Sequence, residues 1–168
     1  EPCPIPKSLS NVTGRTVGDL LTETVERLSE IPNIVAIKEA HGTVQRAKDI
    51  VDRCGSRLDV VSGDDPNARE TILVGGKGVI SVTANVAPRL MREMCAAALR
   101  GDREEAERID ARLAALHKAL FCEPNPIPVK WAVQQLGLIE GGIRLPMTPL
   151  QEQYYETVRQ AMKLAGVL

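Results

Sequence analysis

The chain has 168 residues, of which 43% are hydrophobic and 26% charged, and its formal net charge is −1. This size and composition are typical of one soluble globular domain. With a net charge of −1 the chain lacks the excess of basic residues that nucleic-acid binding requires. Aromatic residues make up only 2% of the chain, so a platform for base stacking is not expected either.

Several further classes of protein are disfavoured by features that the sequence lacks. No apolar run approaches the roughly 18 residues of a membrane span, and residues 1–7 do not have the pattern of a signal peptide. The 4 cysteines form no C-x-x-C pair, which argues against a zinc site and a disulfide framework. A cytoplasmic location is the prediction that follows, because reduced thiols persist there.

The first hundred residues alternate between predicted strands and helices. The opening ten residues contain three prolines and predict irregular structure or an interrupted strand. Thr16 is the predicted N-cap of a helix that ends before Pro32. The remaining strands are predicted at 33–38, 58–62 and 79–82, and the remaining helices at 43–54, 66–73 and 85–100.

Such alternation implies parallel strands joined by helical crossovers. A flavodoxin-like open sheet and a (β/α)₈ barrel both fit this periodicity. From Asp102 onwards the pattern changes to three consecutive helices, the last of which is predicted to begin at Thr148. We therefore expect a partial barrel over 1–101 and a helical subdomain, packed on it, over 102–168.

Lys38 is the residue best placed for catalysis. It follows the apolar run Asn33–Ile37 at the carboxyl end of a predicted strand, where parallel α/β enzymes place reactive groups. With a period of 2 it shares a face with Ile34 and Ala36. An apolar wall would lower the lysine pKa from about 10.4 and allow imine formation by the neutral amine. On position alone, a lysine that reaches solvent from a strand end is the more common case.

The sequence around Lys38 resembles the dihydrodipicolinate synthase and N-acetylneuraminate lyase family of Schiff-base lyases. The similar segments follow one another in the family's order from about residue 9 to the end of the chain. They are IVAIKEA at 34–40, NVTGRT at 11–16, GVISVTANV at 78–86, PNPIPVK at 124–130 and RLPM at 144–147. Ser62-Gly63-Asp64-Asp65 and the G-R-T element are closer to the synthase than to the sialic-acid lyase.

The resemblance implies the C-terminal part of a (β/α)₈ TIM barrel, about strands 5–8, followed by a three-helix subdomain. It implies condensation of pyruvate with aspartate semialdehyde to 4-hydroxy-tetrahydrodipicolinate, a step of lysine and diaminopimelate biosynthesis. Lys38 would form the imine, so no cofactor and no metal are expected. Arg15 would bind a substrate carboxylate through its planar fork, and the backbone of Ile80 would line the pyruvate pocket. Asp64 and Asp65 favour a helix cap over a metal site.

Two positions depart from the family's Y-N-V-P-G-R-T segment. Ser10 occupies the place of the tyrosine that relays protons, and Thr13 replaces the proline. A serine hydroxyl is shorter and less acidic than a phenol, and general acid–base catalysis is worth about 10²- to 10⁴-fold in rate. We therefore expect impaired activity.

The chain is also shorter than the family's full barrel. A half-barrel exposes strand edges and an apolar inner face, so we expect association with a missing N-terminal half or a homo-oligomer. A fragment, a cleaved enzyme and an engineered half-barrel all remain open, and so does activity of this chain alone. The alternative functions are a sugar-acid aldolase or lyase of the same family and a catalytically silent interaction module. A nucleotide-binding open sheet ranks low, because no glycine-rich phosphate motif is present.

Overall fold

The structure, a computed structural model, describes residues 5–168. Its four strands are β1 (Lys7–Asn11), β2 (Ile34–Glu39), β3 (Asp59–Ser62) and β4 (Gly78–Val79). Its eight α-helices are α1 (Thr13–Thr16), α2 (Thr22–Leu28), α3 (Val44–Cys54), α4 (Ala68–Leu73), α5 (Pro88–Leu99), α6 (Arg103–Ala119), α7 (Ile127–Gln135) and α8 (Tyr155–Leu164). Short 3₁₀ turns occupy Gly55–Arg57, Asp65–Asn67, Thr83–Asn85 and Glu152–Tyr154.

The four strands form one parallel sheet in the order β1-β2-β3-β4. Each strand pairs with the next one in the chain, so the order never reverses. A doubly wound open sheet needs such a reversal, whereas right-handed crossovers that always advance in one direction leave their helices on one face. The sheet therefore has the strand order of a (β/α) barrel, and within residues 5–168 β1 and β4 each pair on one side only.

The helix-covered face of the sheet contains the core of this part of the chain. Val25 of α2 and Ile50 of α3 are fully buried against Ile37 of β2 and Val60 of β3. Leu9 of β1 packs against the same cluster. Thr43 precedes α3 and Gly55 ends it at φ 56°, as the sequence predicted.

The register of β1 on β2 corrects one expectation about Lys38. Lys7 pairs with Ile34 but Ser8 pairs with Ala36, so Val35 is an extra residue in β2. Such an insertion interrupts the period of 2. Ile34 is accordingly buried in the same cluster as Ile37 and does not contribute to an apolar wall beside Lys38.

Three predicted element boundaries were wrong. The helix predicted from Thr16 begins at Thr22, because Val17 adopts a left-handed φ of 59° and interrupts it. The strand predicted at 79–82 is only Gly78–Val79. The last helix begins at Tyr155 rather than at Thr148.

The chain separates into two compact units. The first contains the described residues up to Ser81 together with Cys95–Arg103, and the second contains Val82–Met94 and Glu104–Leu168. The boundary predicted at residue 101 and the packing of a helical subdomain on the barrel stay predictions.

The second unit has its own core. Leu113 and Leu116 of α6 are fully buried, and His117 is buried with its Nδ1 2.8 Å from Thr83 Oγ1. Trp131 of α7 stacks on Tyr155 of α8 with ring centroids 4.8 Å apart. Among the described residues, no helix combines the length and apolar character that a membrane crossing requires.

Candidate active site

Lys38 lies on an internal strand, one residue before the carboxyl end of β2. Its neighbours in register are Ser10 of β1 and Val61 of β3. Side chains of a strand alternate between the two faces, so these three residues lie on the face opposite the partly buried Leu9 and the buried Ile37 and Val60. This second face is the open face of the sheet. Lys38 and Val61 are half-buried there, and Ser10 is exposed.

The stem of Lys38 runs beside a glycine of the neighbouring strand connection. A Cβ atom at Gly63 would lie 2.7 Å from Lys38 Cε and 2.6 Å from Ala40 Cβ. Both distances are shorter than carbon atoms tolerate without displacement. A side chain at position 63 would therefore displace Lys38 or Ala40, and the aliphatic chain of Lys38 passes close to the backbone of Gly63.

Ile80 lies at the same end of the sheet as Lys38. It directly follows β4, and its N–H donates to Ser62 O over 2.8 Å. Ser62 in turn is the register partner of Glu39, the residue after Lys38. The Ile80 side chain is half exposed.

Arg15 lies in α1, directly after β1. Its side chain is exposed, and none of the α1 residues is buried. Residues 12–18, which follow the strand that contains Ser10 and include α1, are named the Arg15 loop. The residues that hold this loop in place were not predicted.

A buried polar network joins the base of the Arg15 loop to β2. Glu39 is 5% exposed and Asn11 2% exposed, and Asn11 Nδ2 donates to Glu39 Oε2 over 3.0 Å. Asn11 also donates to Asp19 Oδ1 over 3.1 Å and accepts the N–H of Leu20 over 3.2 Å. Arg46 of α3 completes the network, with contacts to Glu39 at 3.3 Å and Asp19 at 2.7 Å.

Asp19 has a depressed pKa as a result of this network. The hydrogen bond from Asn11 is the largest cause that lowers the pKa, followed among the lowering groups by Arg46. Both partners stabilise the carboxylate form over the protonated form. Asp19 is therefore a carboxylate at neutral pH.

Asp64 and Asp65 lie in the turn after β3. Asp64 Oδ2 accepts a hydrogen bond from Asn67 Nδ2 over 2.6 Å, and Asp65 begins a 3₁₀ turn. In the part of the chain that the structure describes, no three His, Cys, Asp or Glu side chains are grouped so that they could hold a metal ion.

Sequence reasoning missed Gly63, Asn11, Glu39 and Arg46 as parts of this site. A glycine directly after a buried strand is a recognised sign of close approach, so Gly63 could have been noticed. The network could not, because its partners are as far as 28 residues apart in the sequence. Only the pairing of β1 with β2 brings them together.

The sheet order and the open face with its strand-end lysine define an α/β protein of the barrel type. Solved structures of dihydrodipicolinate synthases have the same fold. One from Acinetobacter baumannii, chloride-inhibited and complexed with pyruvate, matches with a TM-score of 0.97 and 52% identity over 99% of this chain and 57% of that one. Another from Aquifex aeolicus matches with a TM-score of 0.94 and 38% identity over 98% of this chain and 57% of that one.

The sequence is also similar to curated relatives named 4-hydroxy-tetrahydrodipicolinate synthase. The one from Alkalilimnicola ehrlichii is 67% identical over 164 residues, which are 98% of this chain and 56% of the relative. The one from Halorhodospira halophila is 60% identical over 168 residues, which are 100% of this chain and 56% of the relative. This chain thus spans little more than half the length of these relatives.

The family itself follows from a match that covers nearly the whole chain. Residues 3–165 match the dihydrodipicolinate synthetase family. The chain belongs to this family.

Proposed function

We propose that this chain forms about strands 5–8 and the following helices of a (β/α)₈ barrel, and that the complete barrel condenses pyruvate with aspartate semialdehyde to 4-hydroxy-tetrahydrodipicolinate. The observation that carries the proposal is the position of Lys38. It lies on the open face of an internal strand, at the carboxyl end of the sheet, beside Gly63. Family membership and the names of the relatives support the same activity.

In the proposed reaction the neutral Lys38 amine attacks the ketone carbon of pyruvate. A C–N bond forms, and the oxygen leaves as water after it is protonated. The resulting imine withdraws electrons, so a methyl proton is lost and an enamine forms. The enamine carbon bonds to the aldehyde carbon of the second substrate, whose oxygen takes up a proton. The amino group that came with aspartate semialdehyde then adds to the imine carbon and closes the ring of the product. The bond from that carbon to the Lys38 nitrogen breaks as the nitrogen takes up a proton, and the lysine amine is regenerated.

Three other residues have supporting roles in this proposal. Arg15 binds the carboxylate of a substrate, because its planar fork donates two parallel hydrogen bonds. The backbone of Ile80 borders the pyruvate. Ser10, the register partner of Lys38, stands where the family's relay tyrosine stands and moves protons less effectively than a phenol.

The open edges of the sheet favour completion of the barrel by another polypeptide segment. Within the described residues, β1 and β4 each have one unpaired side, and exposed edges pair readily with other strands. We propose that the N-terminal half present in the relatives covers them, or that two copies associate where that half is absent. Size-exclusion chromatography with light scattering tests this for the 168-residue chain; a well-folded monomer contradicts it.

A catalytically silent module is the second candidate, and Ser10 is the observation that favours it. Loss of the tyrosine removes the proton relay while leaving the sheet intact. The discriminating experiment is reduction with borohydride in the presence of pyruvate. The silent module predicts no adduct, whereas the lyase predicts one adduct per chain.

The aldehyde substrate is tested by comparison. The full-length enzyme, with the N-terminal half that the relatives have, is assayed with pyruvate and either aspartate semialdehyde or a sugar aldehyde. The proposal predicts the higher kcat/KM with aspartate semialdehyde. A preference for the sugar aldehyde would instead support a sugar-acid aldolase.

A further inference from the structure

The loop that carries Arg15 has almost no packing of its own. None of the α1 residues is buried, Val17 is 95% exposed, and Val17 has a left-handed backbone with φ 59°, which costs energy for a β-branched residue. A segment with so few apolar contacts opens easily. Apolar packing therefore does not determine the position of Arg15.

Hydrogen bonds join the two ends of this loop. Asn11 stands at its beginning, and its side chain bonds to Asp19 and to the N–H of Leu20 at its end. Arg46 bonds to both carboxylate oxygens of Asp19 and to the carbonyl of Leu20. The segment between Asn11 and Asp19, which includes Arg15, is therefore tied at both ends.

The same contacts reach the strand that carries Lys38. Glu39 directly follows Lys38 and points to the opposite, helix-covered face. Its carboxylate accepts hydrogen bonds from Asn11, from Arg46 Nε and, over 2.7 Å, from the N–H of His41. A buried carboxylate that is bonded on three sides is held rigidly. The network thus connects the Arg15 loop to β2 without touching the open face.

We infer that Asn11, Glu39, Arg46 and Asp19 are positioning residues that hold Arg15 at a set place relative to Lys38, and so determine how tightly the carboxylate-bearing aldehyde binds. The inference rests on the proposed function, in which Arg15 binds that carboxylate. The contacts of the network lie on the helix-covered face, opposite Lys38. We therefore expect their loss to weaken binding of the second substrate and to leave imine formation with pyruvate intact.

The test compares Arg46→Lys with Arg53→Lys in the full-length enzyme. Both arginines lie in α3 and pair with acidic residues outside that helix, but Arg53 pairs with Glu23 and Glu26 of α2, away from the loop. Lysine keeps the charge and loses the fork. For Arg46→Lys we expect about tenfold faster trypsin cleavage after Arg15 under native conditions, because the loop opens more often.

The kinetic result separates positioning from a general structural role. Arg46→Lys should raise the KM of aspartate semialdehyde about tenfold with kcat nearly unchanged, as loss of uniform binding does. Borohydride trapping of pyruvate at Lys38 should stay at the level of the unsubstituted enzyme. Arg53→Lys should change none of these. Asp19→Asn, at the exposed end of the network, should act in the same direction if Arg46→Lys does not fold.

Two outcomes overturn the inference. The first is that Arg46→Lys and Asp19→Asn show the same rate of trypsin cleavage after Arg15 and the same KM for aspartate semialdehyde as Arg53→Lys. The second is a loss of trapping at Lys38 in these variants that parallels the rise in KM. Absence of trapping in the unsubstituted enzyme refutes the proposed function instead, and trypsin cleavage then still decides whether the network holds the loop.

Discussion

The two faces of the sheet differ in how deeply their side chains are buried and in which of them carries the proposed reactive residue. On the helix-covered face, Ile37 and Val60 are almost completely buried in an apolar cluster. On the open face, the next residues of the same strands, Lys38 and Val61, are only half-buried. Alternation along β2 therefore places the core residue Ile37 and the proposed reactive residue Lys38 next to each other in sequence and on opposite faces of the sheet. The comparison predicts that stability and chemistry can be changed independently.

The largest effect concerns stability. Ile37→Ala leaves a cavity in the covered face and should lower the free energy of unfolding by about 2–5 kcal/mol. Val61→Ala, on the open face of the next strand, should cost about 1 kcal/mol in the 168-residue chain. Urea unfolding of the two variants measures this difference. Equal losses would show that the open face is packed as tightly as the covered one.

The next effect concerns the proton relay on the open face. Ser10→Tyr restores the phenol of the family's pattern opposite Lys38 and should accelerate imine formation by about 10²-fold. The rate of adduct formation with pyruvate measures it in the full-length enzyme. Ser10→Phe supplies the ring without the hydroxyl and is the matched control. A similar gain in both variants would point to packing rather than to proton transfer.

A smaller effect concerns the space beside Lys38. Gly63→Ala introduces a methyl group 2.7 Å from Lys38 Cε and 2.6 Å from Ala40 Cβ, so we expect about tenfold slower trapping of pyruvate. Gly141→Ala is the control: its methyl group approaches Gln134 Nε2 at 2.9 Å, and that side-chain end can move away. If Gly63→Ala traps pyruvate at the unsubstituted rate, the stem of Lys38 is not fixed by this contact.

The smallest effect concerns pH on the covered side. Asn11 and then Arg46 lower the pKa of Asp19 from its ordinary value of 3.8. A group with a depressed folded-state pKa contributes stability above its unfolded value and loses it as the pH falls through the folded value. The amide chemical shift of Leu20, followed by NMR, should therefore change with a midpoint below the ordinary value of 3.8. A change centred at or above the ordinary value contradicts the network, and Asp19→Asn should remove the transition.

The sequence predicted correctly those elements that depend on residues close together in the chain. The apolar run of β2, the Thr43 and Gly55 ends of α3 and the location of Lys38 next to a strand end are all local patterns. Predictions failed where tertiary structure decides. The extra residue at Val35 moved Ile34 to the other face, and the left-handed Val17 delayed α2 to Thr22.

In the candidate site, too, some residues could be predicted from the sequence and others could not. Lys38, Arg15 and Ile80 could be proposed because they lie within segments that resemble a family. The partners of Glu39 could not be predicted, because they come from β1 and α3 and meet only when the strands pair. The close approach of Gly63 to Lys38 likewise depends on the register of β2 on β3.

The most direct test of the account is the site of pyruvate attachment. The full-length enzyme is incubated with pyruvate, reduced with borohydride, digested and sequenced by mass spectrometry, with Lys38→Arg as the control that keeps the charge but cannot form the imine. The account predicts one reduced pyruvate, on Lys38, and none in the variant. An adduct on a different lysine, or an equal adduct in Lys38→Arg, would contradict it.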